Sequence, residues 1–239
     1  MPDPLTVAAC QPHVADDLTR NVATHVEAVR RAGARLVVFP ELSLTGYDLA
    51  ADAVDPGDPL LVPLVEACAA VGAVALVGAP ARTDGVETIA ALRVDEGGVA
   101  VAYRKQHLGR AEQERFTPGP APVAIDVDGH RVALGICKDT GTAAHLRDVA
   151  VLRPDLYVAG LVHRPDELEE QRARAGRIAR ATGVPVVLAS CAGPGGPAYP
   201  TTAGHSGVYA ADGTALDEVG ADPGAIARAT LPGLGRSAG

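Results

Sequence analysis

Arg131-Val132-Ala133-Leu134-Gly135-Ile136-Cys137-Lys138-Asp139 is an apolar run that stops at a cysteine followed by two charges. It is too short for an ordinary helix and is preceded by Asp128-Gly129, a pair suited to a tight turn, so residues 131–136 read as a buried strand. The same turn predicts a hairpin with residues 123–127. Cys137 then stands at a strand's carboxyl end, the place where sheets flanked by helices assemble their sites.

Upstream, β-rich runs alternate with amphipathic ones. Residues 5–9 read as a strand, and 17–32 as a helix on which Val22, Val26 and Val29 recur at helical spacing before Gly33. A strand at 35–39, a helix at 60–71 and a strand at 74–78 continue a βαβ rhythm. From Thr88 the pattern changes: 89–94 and 99–104 flank Asp95-Glu96-Gly97-Gly98, whose glycines suit a hairpin turn. Downstream, 143–152 reads as a helix and 156–159 as a strand. A helix at 166–182 opens with acids and closes with arginines, as its dipole favours, before Gly183. The last strands are 186–189, 207–209, 215–219 and 226–230, with Asp212-Gly213 as a turn. No internal repeat is visible. Mixed strands and one-sided helices predict a layered α/β fold in one domain, 1–239, because no linker divides the chain. Periodicity alone does not number the sheets.

Composition narrows the functional classes. The 239 residues carry 21 basic and 29 acidic side chains, a formal charge of -8, with five Tyr, two Phe and no Trp. A net negative chain opposes capture of phosphate backbones and anionic lipid, and so few aromatic rings leave little to stack on nucleobases. A small soluble substrate fits better than nucleic acid or a membrane. No apolar run reaches the roughly 18 residues of a membrane span, and the first residues lack the pattern of a secretion signal, so a cytoplasmic location is expected. Cys10, Cys68, Cys137 and Cys191 contain no C-x-x-C pair, which predicts reduced thiols rather than a disulfide framework or zinc knuckle. His107, His145, His163 and His205 show no short ligand spacing, so metal-dependent hydrolysis is not expected.

Glu41 follows the strand at 35–39 and Lys105 the strand at 99–104, so both occupy positions equivalent to that of Cys137. A thiol of ordinary pKa, about 8.5, is only a few per cent ionised at neutral pH and needs a base or a cation to activate it. Glu41 suits the first role and Lys105 the second. Attack on an amide carbon makes an oxyanion, for which a buried ammonium and the backbone N–H of Lys138 are suitable donors. Each residue alone has an ordinary structural reading: a packed core thiol, a loop carboxylate, an edge lysine. Only the combination points to chemistry.

Phe39-Pro40-Glu41-Leu42-Ser43-Leu44-Thr45-Gly46-Tyr47, Tyr103-Arg104-Lys105-Gln106-His107-Leu108 and Gly135-Ile136-Cys137-Lys138-Asp139 resemble, in order, the three signatures of the nitrilase superfamily. The resemblance runs from about residue 5 to residue 230, taking in Phe116-Thr117-Pro118-Gly119 and Gly204-His205-Ser206-Gly207. It implies a four-layer α-β-β-α sandwich of mixed sheets and a Glu41-Lys105-Cys137 triad. In that scheme Cys137 attacks, Glu41 shuttles the proton and Lys105 supports the tetrahedral intermediate. Ammonia or an amine leaves a thioester, water activated by Glu41 releases the acid, and no metal or organic cofactor is required. The family's second active-site glutamate falls on Glu112 by its spacing to Phe116, with Glu114 the alternative; both also fit a solvated run at 111–115. Tyr47, Lys138, Asp139 and Ser190 are candidates for the oxyanion and substrate pocket.

Lys138-Asp139 stands where nitrile-cleaving members carry Trp-Glu, which moves the expected substrate to a small linear amide or N-carbamoyl compound. Thr140-Gly141-Thr142 replaces an arginine with which several amidase branches grip a substrate carboxylate. Lys138 is a candidate substitute, with an ion pair to Asp139 as the alternative. An asparagine commonly stands at Ser190 or Cys191 in the family. The Gly- and Pro-rich residues 190–197 are expected to line the pocket. Cys10, Cys68 and Cys191 read as packed thiols, His107 as an ordinary loop histidine or one that orients the Lys105 loop, and Arg172, Arg174, Arg177 and Arg180 as a polar helix face. Two classes compete: an acyl-transfer or ammonia-supplying enzyme using the same thioester, and a non-catalytic binding or redox-sensing protein on the same fold. Glu41 and Lys105 argue against the second, because an unpaired buried lysine is costly. The resemblance also implies a homodimer or larger homo-oligomer, and the tail 231–239 reads as flexible.

Overall fold

The computed structural model describes residues 3–233. Strands β1 (Leu5–Cys10), β2 (Leu36–Val38) and β3 (Val74–Thr83) alternate with helices α1 (Leu18–Ala32) and α2 (Val62–Val71), and β4 (Val86–Asp95) and β5 (Gly98–Arg104) follow. The second half opens with β6 (Ala124–Val127) and β7 (His130–Ile136). It then alternates α3 (Ala143–Val151), β8 (Leu156–Leu161), α4 (Leu168–Thr182) and β9 (Val186–Ser190). A ribbon of β10 (Ala192–Gly193) and β11 (Thr202–Ala203) precedes β12 (Gly207–Tyr209), β13 (Ala215–Glu218) and β14 (Ile226–Leu231).

Two six-stranded sheets result, ordered β14-β1-β2-β3-β4-β5 and β13-β12-β9-β8-β7-β6. The central strands β1, β2 and β3 run parallel, as do β7, β8 and β9, with antiparallel strands on either side. Both halves therefore follow one β-α-β-α-β plan, a repeat of topology without visible sequence similarity.

Alternation along the strands sorts the side chains into layers. Val7, Ala9, Leu36, Val38 and Leu76 pack with Val132, Leu134, Leu156, Val158 and Val187 between the sheets. Ala8, Val37, Phe39 and Ala75 face Val22, Val26 and Val29 of α1 and Leu64 and Ala67 of α2. Ala133, Tyr157 and Leu188 lie under Leu146 and Val149 of α3 and Ala175 and Ile178 of α4. Three apolar interfaces separate four layers, giving the α-β-β-α sandwich.

Some boundaries differ from the sequence reading. Pro59–Leu61 and Pro165–Glu167 form 3₁₀ turns ahead of α2 and α4, each opened by a proline whose missing N–H is harmless there. β3 runs past Gly78 to Thr83 and turns at Asp84-Gly85, both at positive φ, into β4. Leu231, read as tail, pairs with Leu5 at the end of β14, and residues 234–239 lie outside the described residues. No helix among the described residues is long and apolar enough to cross a membrane.

The site depends on how the chain leaves β2. Phe39 N–H still donates to Leu76 O at 2.9 Å, and Pro40-Glu41 then passes between Gly78 of β3 and Gly160 of β8. A Cβ on Gly78 would lie 2.2 Å from Pro40 O, and one on Gly160 would lie 2.6 Å from Phe39 O. Only a hydrogen fits at either place. Gly160→Ala should therefore cost about 1–3 kcal/mol by overpacking, lowering the thermal midpoint by roughly 2–4 °C per kcal/mol for this chain length. Thermal unfolding followed by circular dichroism checks this, with Gly220→Ala, exposed and with nothing within 4 Å of its Cβ, melting like the native chain.

Candidate active site

Lys105 follows β5 with its backbone pinned on both edges: its N–H donates to Ile89 O at 2.8 Å and its carbonyl accepts from Gly119 N at 2.9 Å. Its Nζ donates to Glu41 Oε1 at 2.6 Å and to Glu112 Oε1 at 2.7 Å. None of the three side chains is more than 2% exposed. Glu41 comes from the turn after β2, and Glu112 from the 3₁₀ turn Glu112–Glu114. Glu112 Oε1 also accepts from Tyr47 OH, and its Oε2 accepts from Gly109 N at 2.6 Å. The second glutamate of the cluster is Glu112. Glu114 is exposed, because a step of two residues in a three-residue turn carries it to another side.

β7 delivers Cys137 to the same place. It opens the 3₁₀ turn Cys137–Gly141 with φ at +38°, a left-handed conformation that a side chain disfavours. Its thiol donates to Val162 O, just beyond β8, at 3.5 Å, close enough to Glu41 and Lys105 for their charges to act on it. Asp139 secures the turn. Its Oδ2 accepts from Ile136 N at 3.1 Å and Tyr103 OH at 2.9 Å, and its Oδ1 meets His107 N and His107 Nδ1, both at 2.9 Å. One buried carboxylate thus joins the Cys137 turn to the loop that carries Lys105.

Burial pushes the Glu41 carboxyl up to about 7, against the pull of Lys105 and with the Glu112 charge adding to the rise. Burial likewise pushes the Cys137 thiol up to about 12, the Glu41 charge adding to it and Lys105 opposing. Burial also works against ionisation of Glu112, but Lys105 and donors from Lys105, Tyr47 and Gly109 hold its pKa below the usual carboxylate range. Burial penalises the Lys105 cation, yet Glu41, Cys137 and Glu112 together keep its pKa above the ordinary value. At neutral pH the cluster thus holds an ammonium, an ionised Glu112, a protonated thiol and a Glu41 whose affinity for a proton is raised well above that of an ordinary carboxylate. That suits proton transfer concerted with attack, without a preformed thiolate.

The remaining candidates divide. Tyr47 lies in the cluster, and residues 190–197 reach it: Tyr47 N donates to Gly195 O at 2.5 Å, and its ring meets Tyr199 edge-on at 4.8 Å. Asp139 and Ser190 are corrections, since both are fully buried and occupied by protein. Ser190 Oγ donates its proton to Gln171 Oε1 at 3.0 Å, and Ser190 N donates to Ser206 Oγ at 2.9 Å. Lys138 makes no ion pair with Asp139. It is exposed, and its Nζ donates to Leu108 O at 2.8 Å. Cys10 and Cys191 are packed thiols pushed upward by burial, Cys191 lying 3.9 Å from Glu41 O. A groove of about 660 Å³ beside Asp48 and Pro194 touches none of Glu41, Tyr47, Lys105, Glu112 and Cys137.

His107, Asp139 and His145 place their ligand atoms within 4.8 Å of one another, a grouping that sequence spacing does not reveal. They are turned onto protein: Asp139 is saturated as described, and His145 Nδ1 and Nε2 face Gln106 Oε1 at 2.9 Å and Tyr157 OH at 3.2 Å. His107 meets Asp139 Oδ1 through both its backbone N and Nδ1. Sequence reasoning missed the bracing role of Asp139 and the contact of Arg174 with the Cys137 turn, since neither has a local signature.

The carbon-nitrogen hydrolase family model matches residues 6–236. A curated (R)-stereoselective amidase from Pseudomonas sp. is 29% identical over 141 residues, a stretch spanning 54% of this chain and 52% of that protein. An amidase from Nesterenkonia sp. AN1 is 25% identical with a TM-score of 0.81, covering 96% of this chain and 93% of its own. A CN-hydrolase superfamily protein from Xanthomonas campestris with an arsenic adduct in its active site superposes with a TM-score of 0.86 at 20% identity, covering 96% and 91%. A branch 10 member of the nitrilase superfamily from Saccharomyces cerevisiae gives 0.84 at 21%, covering 97% and 91%. With the family model spanning nearly the whole sequence on this fold, the chain belongs to the carbon-nitrogen hydrolase family.

Proposed function

We propose that the chain is a cysteine-dependent amidohydrolase that cleaves a non-peptide C–N bond of a small linear amide or N-carbamoyl compound through a thioester on Cys137. The observation that carries the reading is the Lys105 ammonium, bonded to both Glu41 and Glu112 beside the thiol. Glu41 takes the thiol proton as sulfur attacks the carbonyl carbon. Lys105 Nζ and the Lys138 N–H stabilise the resulting oxyanion. Glu41 passes the proton to the departing nitrogen, then deprotonates the water that opens the thioester. Glu112 and Tyr47 hold the ammonium charged and in place. The amidases among the relatives support a small amide as substrate. A homodimer or larger homo-oligomer and a cytoplasmic location belong to the same proposal, the first from the family resemblance and the second suited by four free cysteines.

Ammonia release from a panel of small amides, N-carbamoyl compounds and nitriles tests the reading. Amides or carbamoyl compounds should be turned over by the native protein and by Cys191→Ala, and not by Cys137→Ala; release that survives loss of the Cys137 thiol contradicts it.

The pH dependence follows from Glu41. Its pKa is raised and its ionised form is the base, so activity is present above about 7 and is lost as pH falls through that value. The logarithm of kcat/KM should rise with unit slope to a plateau beginning near pH 7. A midpoint at the ordinary glutamate value of about 4.3 would exclude Glu41 as the base.

A further inference from the structure

Helix α4 lies on the outer face of the second sheet, yet one of its arginines reaches the nucleophile turn. Arg174 is held by Glu170, whose Oε1 accepts from Arg174 Nε at 2.9 Å and from Arg177 at 2.6 Å. Its NH1 lies 3.4 Å from Cys137 O and 3.3 Å from Thr140 Oγ1, and Thr140 Oγ1 itself donates to Cys137 O at 2.5 Å. Glycine at residue 141 leaves the guanidinium room: a Cβ there would lie 3.1 Å from Arg174 Cζ, and the guanidinium would have to give by a few tenths of an ångström. The side chain is 18% exposed, so these contacts are largely shielded from water.

The carbonyl gripped in this way belongs to the Cys137–Lys138 peptide, whose N–H is the oxyanion donor in the proposed mechanism. No described peptide bond is cis, and in a planar trans peptide the C=O and N–H point in opposite directions. Anchoring Cys137 O toward α4 therefore aims the Lys138 N–H away from α4, toward the side from which Glu41 and Lys105 approach. As an early N–H of a 3₁₀ turn it has no acceptor within that turn. Cys137 sits at φ +38°, so this peptide needs outside contacts to stay in place. Two donors on its oxygen also polarise the amide and strengthen the N–H as a donor.

We propose that Arg174 is a positioning residue that orients the Lys138 N–H toward the oxyanion; the proposal rests on the amidohydrolase reading. Arg174→Met keeps the bulk and removes the donors. It should lower kcat by about 10- to 100-fold, part of the effect of losing an oxyanion donor outright, while KM moves by no more than about threefold. Propionaldehyde, whose adduct with the thiol places an oxygen in the same position, should inhibit the variant more weakly by a similar factor. Alkylation of Cys137 by iodoacetamide develops no oxyanion and should change by less than about threefold. Arg174→Lys should recover part of the loss. Gly141→Ala, which displaces the guanidinium while leaving Arg174 in the chain, should act in the same direction if Arg174→Met folds poorly. Native kcat in Arg174→Met overturns the proposal, and so does alkylation slowed as much as kcat, because the arginine would then act on the thiol or the fold. Absence of Cys137-dependent hydrolysis in the unmodified protein instead refutes the amidohydrolase reading, and this inference with it.

Discussion

A buried ammonium bonded to two buried carboxylates is the constraint around which the rest of the structure is arranged. Withdrawing one such ion from water costs several kcal/mol unless close partners restore the lost solvation. Lys105 has both Glu41 and Glu112 within 2.7 Å, so the turn after β2 and the connection from β5 to β6, which carries both Lys105 and Glu112, must converge to within a few tenths of an ångström. The glycines that let Pro40-Glu41 pass between the sheets and the Gly109 N–H on Glu112 serve that convergence. The charges do not balance, and the imbalance is useful. One cation satisfies one carboxylate fully, Glu112 takes that share through its extra donors, and Glu41 is left with a proton affinity near neutrality.

The site also requires both sheets. Glu41 and Lys105 issue from strands of the first sheet, whereas Cys137 and the Val162 carbonyl issue from the second. Asp139 crosses that boundary by joining Ile136 to His107 and Tyr103. Docking of the two halves through the inter-sheet core and assembly of the reactive cluster are therefore one event. The left-handed φ of Cys137 is tolerated because this bracing over-determines the turn.

Much of this was legible in the sequence, and the reason is local. Strands at 131–136 and 99–104 could be read from β-forming runs and flanking turn residues, and the strand ends carry Cys137 and Lys105. The position of Glu41 followed from its motif. Fold layers followed from resemblance, since period-2 alternation says which residues face inward but not how many sheets share the interior. What escaped depends on tertiary pairing. Glu112 and Glu114 are equivalent in composition, and only the 3₁₀ turn separates them. Asp139 and Ser190 were read as pocket walls because their neighbours in sequence are reactive or departed from the family, yet their side chains point into the core. Arg174 looked like one of four arginines on a polar face, and nothing local says that this one meets the Cys137 carbonyl beside Gly141. β3 runs past Gly78 because its pairing with β4 continues through Pro80 to Thr83, and a proline inside a run argues against a strand.

The covalent step is where the account can be met most directly. Native protein mixed with excess of a short turned-over amide, quenched in acid and digested, should yield a Cys137-containing peptide heavier by the acyl group less one hydrogen, seen by mass spectrometry. The acyl group on Cys191 or on any other side chain, with Cys137 unmodified during ammonia release, would contradict a thioester at Cys137 and with it the assignment of this cluster.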